Sequence, residues 1–163
     1  MRQCWQMTEQ RLQSALQSWQ TRQQCPLVLQ QHRMDCARCC LAMVAAFHAV
    51  EPMLIKQQLM RSDEFSLRGM NAAQLLQQAQ QVGLTGQVRQ LPLAQLAVLQ
   101  IPVILWWRQC HFVVLSRSGT GQRQAEILDP ARGRMLLSWS QLQLCYSGIS
   151  IMLAPSLAVH RRR

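Results

Sequence analysis

The rhythm of apolar positions changes part-way along the chain. In residues 1–24 a thin stripe of Trp5, Leu12, Leu16 and Trp19 on a glutamine-rich background predicts a helix, closed by Pro26. Leu27-Val28-Leu29 reads as a short extended lead-in. From Cys36 to about Ala49 the residues are almost all apolar, which predicts a buried helix, with Asp35 as its N-cap. A second helix is expected over Pro52 to Met60. A third is expected over Ala72 to Val82, capped by Asn71 and closed by Gly83. Beyond Gly83 the runs become short and β-like: Pro102 to Trp107, His111 to Ser116, Ala125 to Leu128, Met135 to Leu137 and Ile149 to Leu153. Turn signals at Gly119/Gly121, Pro130/Gly133 and Gly148 separate them. Helices first and antiparallel strands second predict a two-layer α+β domain, the Cys36 helix packed on the sheet that carries His111.

Composition narrows the class. With 163 residues and 49% apolar content the chain can bury one proper core. Only 15% of residues are charged, and glutamine supplies the missing polarity. The net charge is +10; Lys56 is the only lysine, so 17 − 1 = 16 of the basic residues are arginines. They are scattered apart from Arg161-Arg162-Arg163, without the stripe interleaved with aromatics that nucleic-acid binding favours. A solvated arginine surface accounts for them. A milder functional reading is attraction to an anionic membrane face or an acidic peptide substrate. The seven cysteines form an odd set without disulfide-framework spacing. The N-terminus lacks a signal-peptide core, and the longest apolar runs, Cys39 to Phe47 and Ile101 to Trp107, are too short to span a bilayer. A reducing cytoplasmic setting, or the cytoplasmic face of an inner membrane, is the expectation.

The candidate chemistry lies in four residues. Cys36 sits at a helix start, where unpaired amides and the helix dipole favour a thiolate. His111 opens the run His111-Phe112-Val113-Val114-Leu115 and can exchange a proton with a thiol. Asp129 follows it by 129 − 111 = 18 residues, about a strand, a turn and a return strand, which brings a carboxylate beside the ring to fix its tautomer. Gln30 precedes the thiol by 36 − 30 = 6 residues, close enough to aim its amide at a developing oxyanion beside the Cys36 N–H. Each alone has a bland explanation: a small buried thiol, a core histidine, a turn aspartate and a surface glutamine. The ordered set points to nucleophilic catalysis.

The chain resembles the bacteriocin-processing cysteine peptidases, which in many transporters form the N-terminal domain of an ATP-driven peptide exporter. The similarity runs through Leu29-Gln30, Met34-Asp35-Cys36-Ala37-Arg38-Cys39-Cys40-Leu41-Ala42-Met43 and Ile101-Pro102-Val103-Ile104-Leu105-Trp106. It continues in His111-Phe112-Val113-Val114-Leu115, Asp129-Pro130-Ala131-Arg132-Gly133 and Tyr146-Ser147-Gly148-Ile149, covering roughly residues 27–155. The resemblance implies a papain-like fold and cleavage after a double glycine at the end of a leader peptide. By matching positions it implies Cys36 as nucleophile, His111 as general base, Asp129 as orienting acid and Gln30 as oxyanion donor. A leader peptide and an ABC exporter at the inner membrane are the implied partners, with no cofactor, no metal and no nucleic acid. Ala37 stands where the family usually has glycine, Arg38 where a small or apolar residue is usual, and Cys110 where a polar residue precedes the histidine. The expected organisation is an N-terminal helical extension (1–25), a peptidase domain (26–156) and a basic tail (157–163). After Pro155 exporters continue into membrane helices, so the chain is read as either a free-standing peptidase or an excised domain.

Two rival functions remain at this level. One is a leader-binding domain that assists an exporter without efficient catalysis, if Ala37 or Arg38 spoils the oxyanion geometry. The other is a zinc or redox module built on Cys36-Ala37-Arg38-Cys39-Cys40, with Cys110 and His111 as further ligands. Against the second, no second Cys-x-x-Cys pair is present, and Cys40 falls in a strongly apolar helix. Trp106, Trp107 and Met43 are apolar candidates for a docking surface beside the cleft, with core packing the simpler role.

Overall fold

The computed structural model describes residues 24–59, 69–99, 102–117 and 123–156. The expected helix of residues 1–24 falls almost entirely outside these, as do Met60, the Gly119/Gly121 turn and the basic tail. The elements run α1 (Cys36–Phe47), α2 (Pro52–Leu59), α3 (Ala72–Gln81), β1 (Leu84–Gln90), α4 (Leu93–Leu96) and β2 (Val103–Trp107). They continue as β3 (His111–Arg117), β4 (Gln124–Asp129), β5 (Gly133–Ser138), α5 (Trp139–Cys145) and β6 (Tyr146–Pro155).

The strands form one antiparallel sheet in the order β1-β6-β2-β3-β4-β5. Period-two alternation divides their side chains between two cores. Ile104, Phe112, Val114, Leu128, Ile151 and Leu153 point to the face covered by α1, α2 and α3. Val103, Leu105, Trp107, Val113, Leu115 and Ile127 point to the other face, with Leu96 of α4 and Leu142 of α5. The α+β expectation therefore holds, with one addition: the short helices α4 and α5 make a thin third layer.

Helix α1 is the spine of the larger core. Every residue from Ala37 to Ala45 is buried, and the helix packs chiefly on β3. Fully burying a side chain such as Leu41, Met43 or Val44 stabilises the fold by roughly 1.5–3 kcal/mol each. Asp35 stands at the N-cap position, but its side chain makes no cap bond. Its backbone lies in the αR region, and its carboxylate bonds Arg38 Nη2 at 2.6 Å and the His32 N–H at 3.1 Å. A charge-assisted bond one turn along has displaced the expected cap. The helix ends at Phe47, short of Ala49, which takes a left-handed φ of 56°.

The third helix behaves as its sequence suggests. Asn71 Oδ1 accepts the Gln74 N–H and Gln74 Oε1 accepts the Asn71 N–H, both at 2.9 Å, closing a capping box. Gly83 follows with a φ of 77°.

Three elements differ from expectation. β1 is a strand despite its polar sequence, because it lies at the sheet edge and buries only Leu84. Gly86 sits so close to β6 that a Cβ there would fall 2.2 Å from the Met152 carbonyl oxygen. α5 fills the stretch between the expected strand runs at Met135 to Leu137 and Ile149 to Leu153, opened by a capping box between Ser138 and Gln141. Gly148 lies inside β6 rather than in a turn before it, with a φ of 83°.

Candidate active site

Three junctions of the fold converge on one place. The first is the N-terminus of α1, which carries Cys36. The second is the tight turn between β2 and β3, where Cys110 N–H bonds the Trp107 carbonyl at 3.1 Å and Trp107 pairs with His111. The third is the β4–β5 turn, where Arg132 N–H bonds the Asp129 carbonyl at 3.2 Å. The lead-in segment before α1 joins them: Gln30 N–H bonds the carbonyl of Pro130 at 2.9 Å, tying the glutamine to the residue after Asp129.

His111 Nε2 lies 2.8 Å from Asp129 Oδ1. The other ring nitrogen is left for Cys36, whose side chain hydrogen-bonds His111. The imidazole is thus held between thiol and carboxylate. Asp129 is buried, and its Oδ1 also accepts the Ala131 N–H at 2.8 Å, so the carboxylate cannot swing away. Gln30 lines the same cavity as His111 and Asp129. Its Oε1 is buried and has no partner.

The electrostatics favour charge separation. Burial opposes ionisation of Cys36, but the His111 hydrogen bond, the N–H of Phe112, the His111 charge and the N–H of Ala37 outweigh it. The thiol is held below its ordinary value of 9.0. Burial pulls His111 down as well. The Asp129 bond, and then the bond and charge of Cys36, lift it to about 9. For Asp129, burial is again outweighed, chiefly by the His111 bond and the Ala131 N–H, and the carboxyl is held below its ordinary range. The three shifts are mutually consistent with a thiolate–imidazolium–carboxylate row.

The other cysteines contrast with Cys36. All six described cysteines are free thiols. Burial pushes Cys25 up to about 12 and Cys39 to about 11, and it raises Cys40 well above the ordinary range. Cys25 donates to the Met43 carbonyl at 3.5 Å, as a packed core thiol does. Among the described residues no three His, Cys, Asp or Glu side chains come together where they could hold a metal ion.

Of the apolar docking candidates, Met43 is core, and Trp106 packs against Phe112 in a tilted arrangement with ring centroids 4.6 Å apart. Trp107 does face the cleft. A cavity of about 510 Å³ adjoins the pair on the His111 side, and a second of about 700 Å³ continues from it between β5 and α5. Trp107 lines both. The thiol faces two backbone N–H donors: that of Ala37, one of the helix-start amides expected there, and that of Phe112, which had no signal in the sequence. A backbone donor carries no side-chain identity, so only the fold discloses the second.

The family model for the peptidase C39 family matches residues 24–158. The chain belongs to the peptidase C39 family. This C39 peptidase is 33% identical over 135 residues to the probable microcin-H47 secretion/processing ATP-binding protein MchF of Escherichia coli. The match covers 82% of the chain but 19% of that relative's length, so the chain spans about a fifth of the curated relative it matches. Among solved structures it resembles a double glycine motif protease from an AMS/PCAT transporter, determined in complex with the leader peptide. The TM-score is 0.66 and the identity 27%, covering 83% of this chain and 96% of that one. The peptidase domain of Streptococcus ComA, a bifunctional ABC transporter involved in a quorum sensing pathway, shares the fold. Its TM-score is 0.65 and its identity 20%, covering 81% of this chain and 99% of that one. The C39 peptidase is accordingly a cysteine peptidase of papain-like fold. No helix among its described residues is long and apolar enough to cross a membrane.

Proposed function

We propose that this C39 peptidase removes the leader of a peptide destined for export by cutting after a double glycine, with Cys36 as nucleophile. The observation that carries the reading is the His111 ring held between the Cys36 thiol and the buried Asp129 carboxylate. In this reading the Cys36 thiolate attacks the scissile carbonyl, and the Sγ–C bond forms as the carbonyl electrons move to oxygen. Gln30, with the backbone N–H of Cys36, stabilises that oxyanion. The His111 imidazolium gives its proton to the departing amine as the C–N bond breaks, leaving a thioester on Cys36. Neutral His111 then takes a proton from water, whose oxygen displaces the thiolate and releases the leader acid. Asp129 fixes the ring so that one nitrogen serves all these steps.

The substrate assignment draws on two relatives: one was solved with a leader peptide, and the other is named for microcin secretion and processing. The proposed partner is an ABC exporter, and the proposed setting is the cytoplasmic face of an inner membrane. The proposed organisation keeps residues 26–156 as the peptidase domain, between an N-terminal extension and a basic tail. Incubation with a synthetic double-glycine leader peptide tests the proposal. Wild-type protein is expected to cut after the second glycine and the Cys36→Ala variant not at all. Equal cleavage by both removes the claim.

A further inference from the structure

The cavity beside His111 carries an arginine from each loop that builds the site. Arg33 lies between Gln30 and Cys36, with 36 − 33 = 3; Arg108 precedes His111 by 111 − 108 = 3; and Arg132 follows Asp129 by 132 − 129 = 3. All three are exposed and line this one cavity. Far apart in sequence, they look scattered until the fold closes the three junctions around one cleft.

Two of them are held in place by the backbone. Arg108 and Gln109 both adopt left-handed φ, 48° and 58°, in the turn that lifts Arg108 to the rim. The turn is braced by Arg108 N–H to the Cys145 carbonyl at 2.8 Å and by Gln109 N–H to Ser147 Oγ at 3.1 Å. Two non-glycine residues with positive φ are uncommon, and such strain concentrates where a side chain must be aimed. Arg132 is fixed by the β4–β5 turn.

Among the described residues no carboxylate matches their charge; the one side-chain bond to them runs from Arg108 Nε to the Cys145 sulfur at 3.4 Å. Each described carboxylate already has a partner: Asp35 bonds Arg38, Asp129 bonds His111, Glu126 bonds Arg134, and Glu51 accepts the Leu54 N–H. None of the three rim arginines makes an ion pair with a carboxylate among the described residues. Arg132 contributes to holding the Asp129 carboxyl low, but that carboxylate is hydrogen-bonded to His111. Three permanent cations around one concave site form a field that selects anions.

We infer that Arg33, Arg108 and Arg132 make this peptidase selective for peptides bearing carboxylate side chains close to the scissile bond. The inference rests on the peptidase reading above and adds the chemistry of the substrate. A concave rim beside His111 suits a peptide threaded through it better than the flat face of a membrane or the regular backbone of a nucleic acid.

The test uses two synthetic double-glycine peptides that differ only in having two or three Glu or the matching Gln near the cut. Their kcat/KM ratio on wild-type protein is expected to favour the acidic peptide roughly tenfold, as several partly exposed ion pairs would give. Raising the salt from about 0.05 M to about 1 M is expected to shrink the ratio, because screening shortens the reach of the field. The triple variant Arg33→Gln/Arg108→Gln/Arg132→Gln is expected to bring the ratio close to one. A wild-type ratio near one, or a preference that survives in the triple variant, overturns the inference. Each ratio compares two peptides on the same protein, so partial loss of folded protein cancels. If neither peptide is cut, the peptidase reading fails separately. The Kd values of both peptides for Cys36→Ala protein, measured by fluorescence anisotropy, then decide the charge preference by the same criteria.

Discussion

At the scale of single residues, the decisive contrast is between thiols of the same chain. Cys25, Cys39 and Cys40 are buried and held as thiols, whereas Cys36 is drawn toward the thiolate by His111 and two backbone N–H groups. The sign of the pH dependence follows. Below the depressed Cys36 value the proposed nucleophile is protonated and activity is expected to fall. Above about 9 the His111 imidazolium is lost, and with it the proton for the leaving amine. The kcat/KM profile is therefore expected to be bell-shaped, with its acid limb below the ordinary thiol value of 9.0 and its alkaline limb near 9. A single sigmoid rising near pH 9.0 would contradict the ion pair. Asp129→Asn removes the largest influence holding His111 up. It is expected to lower kcat by about 10²-fold or more and to move the alkaline limb to lower pH. A variant with an unmoved alkaline limb would show that Asp129 does not set the ring. Gln30, Cys36, His111 and Asp129 could be picked out in the sequence as candidates because their side-chain types suit the proposed chemistry. The role of Asp35 could not, since its competition between helix cap and Arg38 is settled only in three dimensions.

At the scale of elements, the site is a product of junctions, and what was legible tracks how strongly each element declares itself. α1, β2, β3 and β4 are apolar and central, so their periodicity announced them. β1 and α5 are polar and peripheral; one is fixed by pairing along β6, the other by a capping box. Packing rather than pattern decides such elements. Gly86 makes that dependence measurable. A methyl group there would meet the Met152 carbonyl at 2.2 Å, so Gly86→Ala must push β1 from β6. The expected cost is about 1–3 kcal/mol, read as a lower denaturant midpoint; an unchanged midpoint would mean that β1 is not held at this spacing. Asn71→Ala, which opens the α3 capping box, is expected to cost about 1 kcal/mol in the same assay.

At the scale of the whole molecule, Cys36, His111 and Asp129 are brought together only when α1 is seated on β3 and the β3–β4 pairing is formed. The site therefore has no existence apart from the folded sheet. Loss of peptidase activity and loss of far-UV circular dichroism are expected to superimpose along a urea titration. Activity lost at clearly lower urea would instead mark the site as a separately melting region. The arginines illustrate the same dependence on the whole. As a sequence they amount to net charge, and as a structure they become a rim around one cleft. The most direct measurement is the rate at which Cys36 is alkylated as a function of pH, resolved from the other cysteines by peptide mass spectrometry, in wild-type and His111→Ala protein. The expected result is preferential labelling of Cys36 at mildly acidic pH in the wild type, lost in the variant. Labelling of Cys36 that follows an ordinary thiol near 9.0 in both proteins would contradict the account.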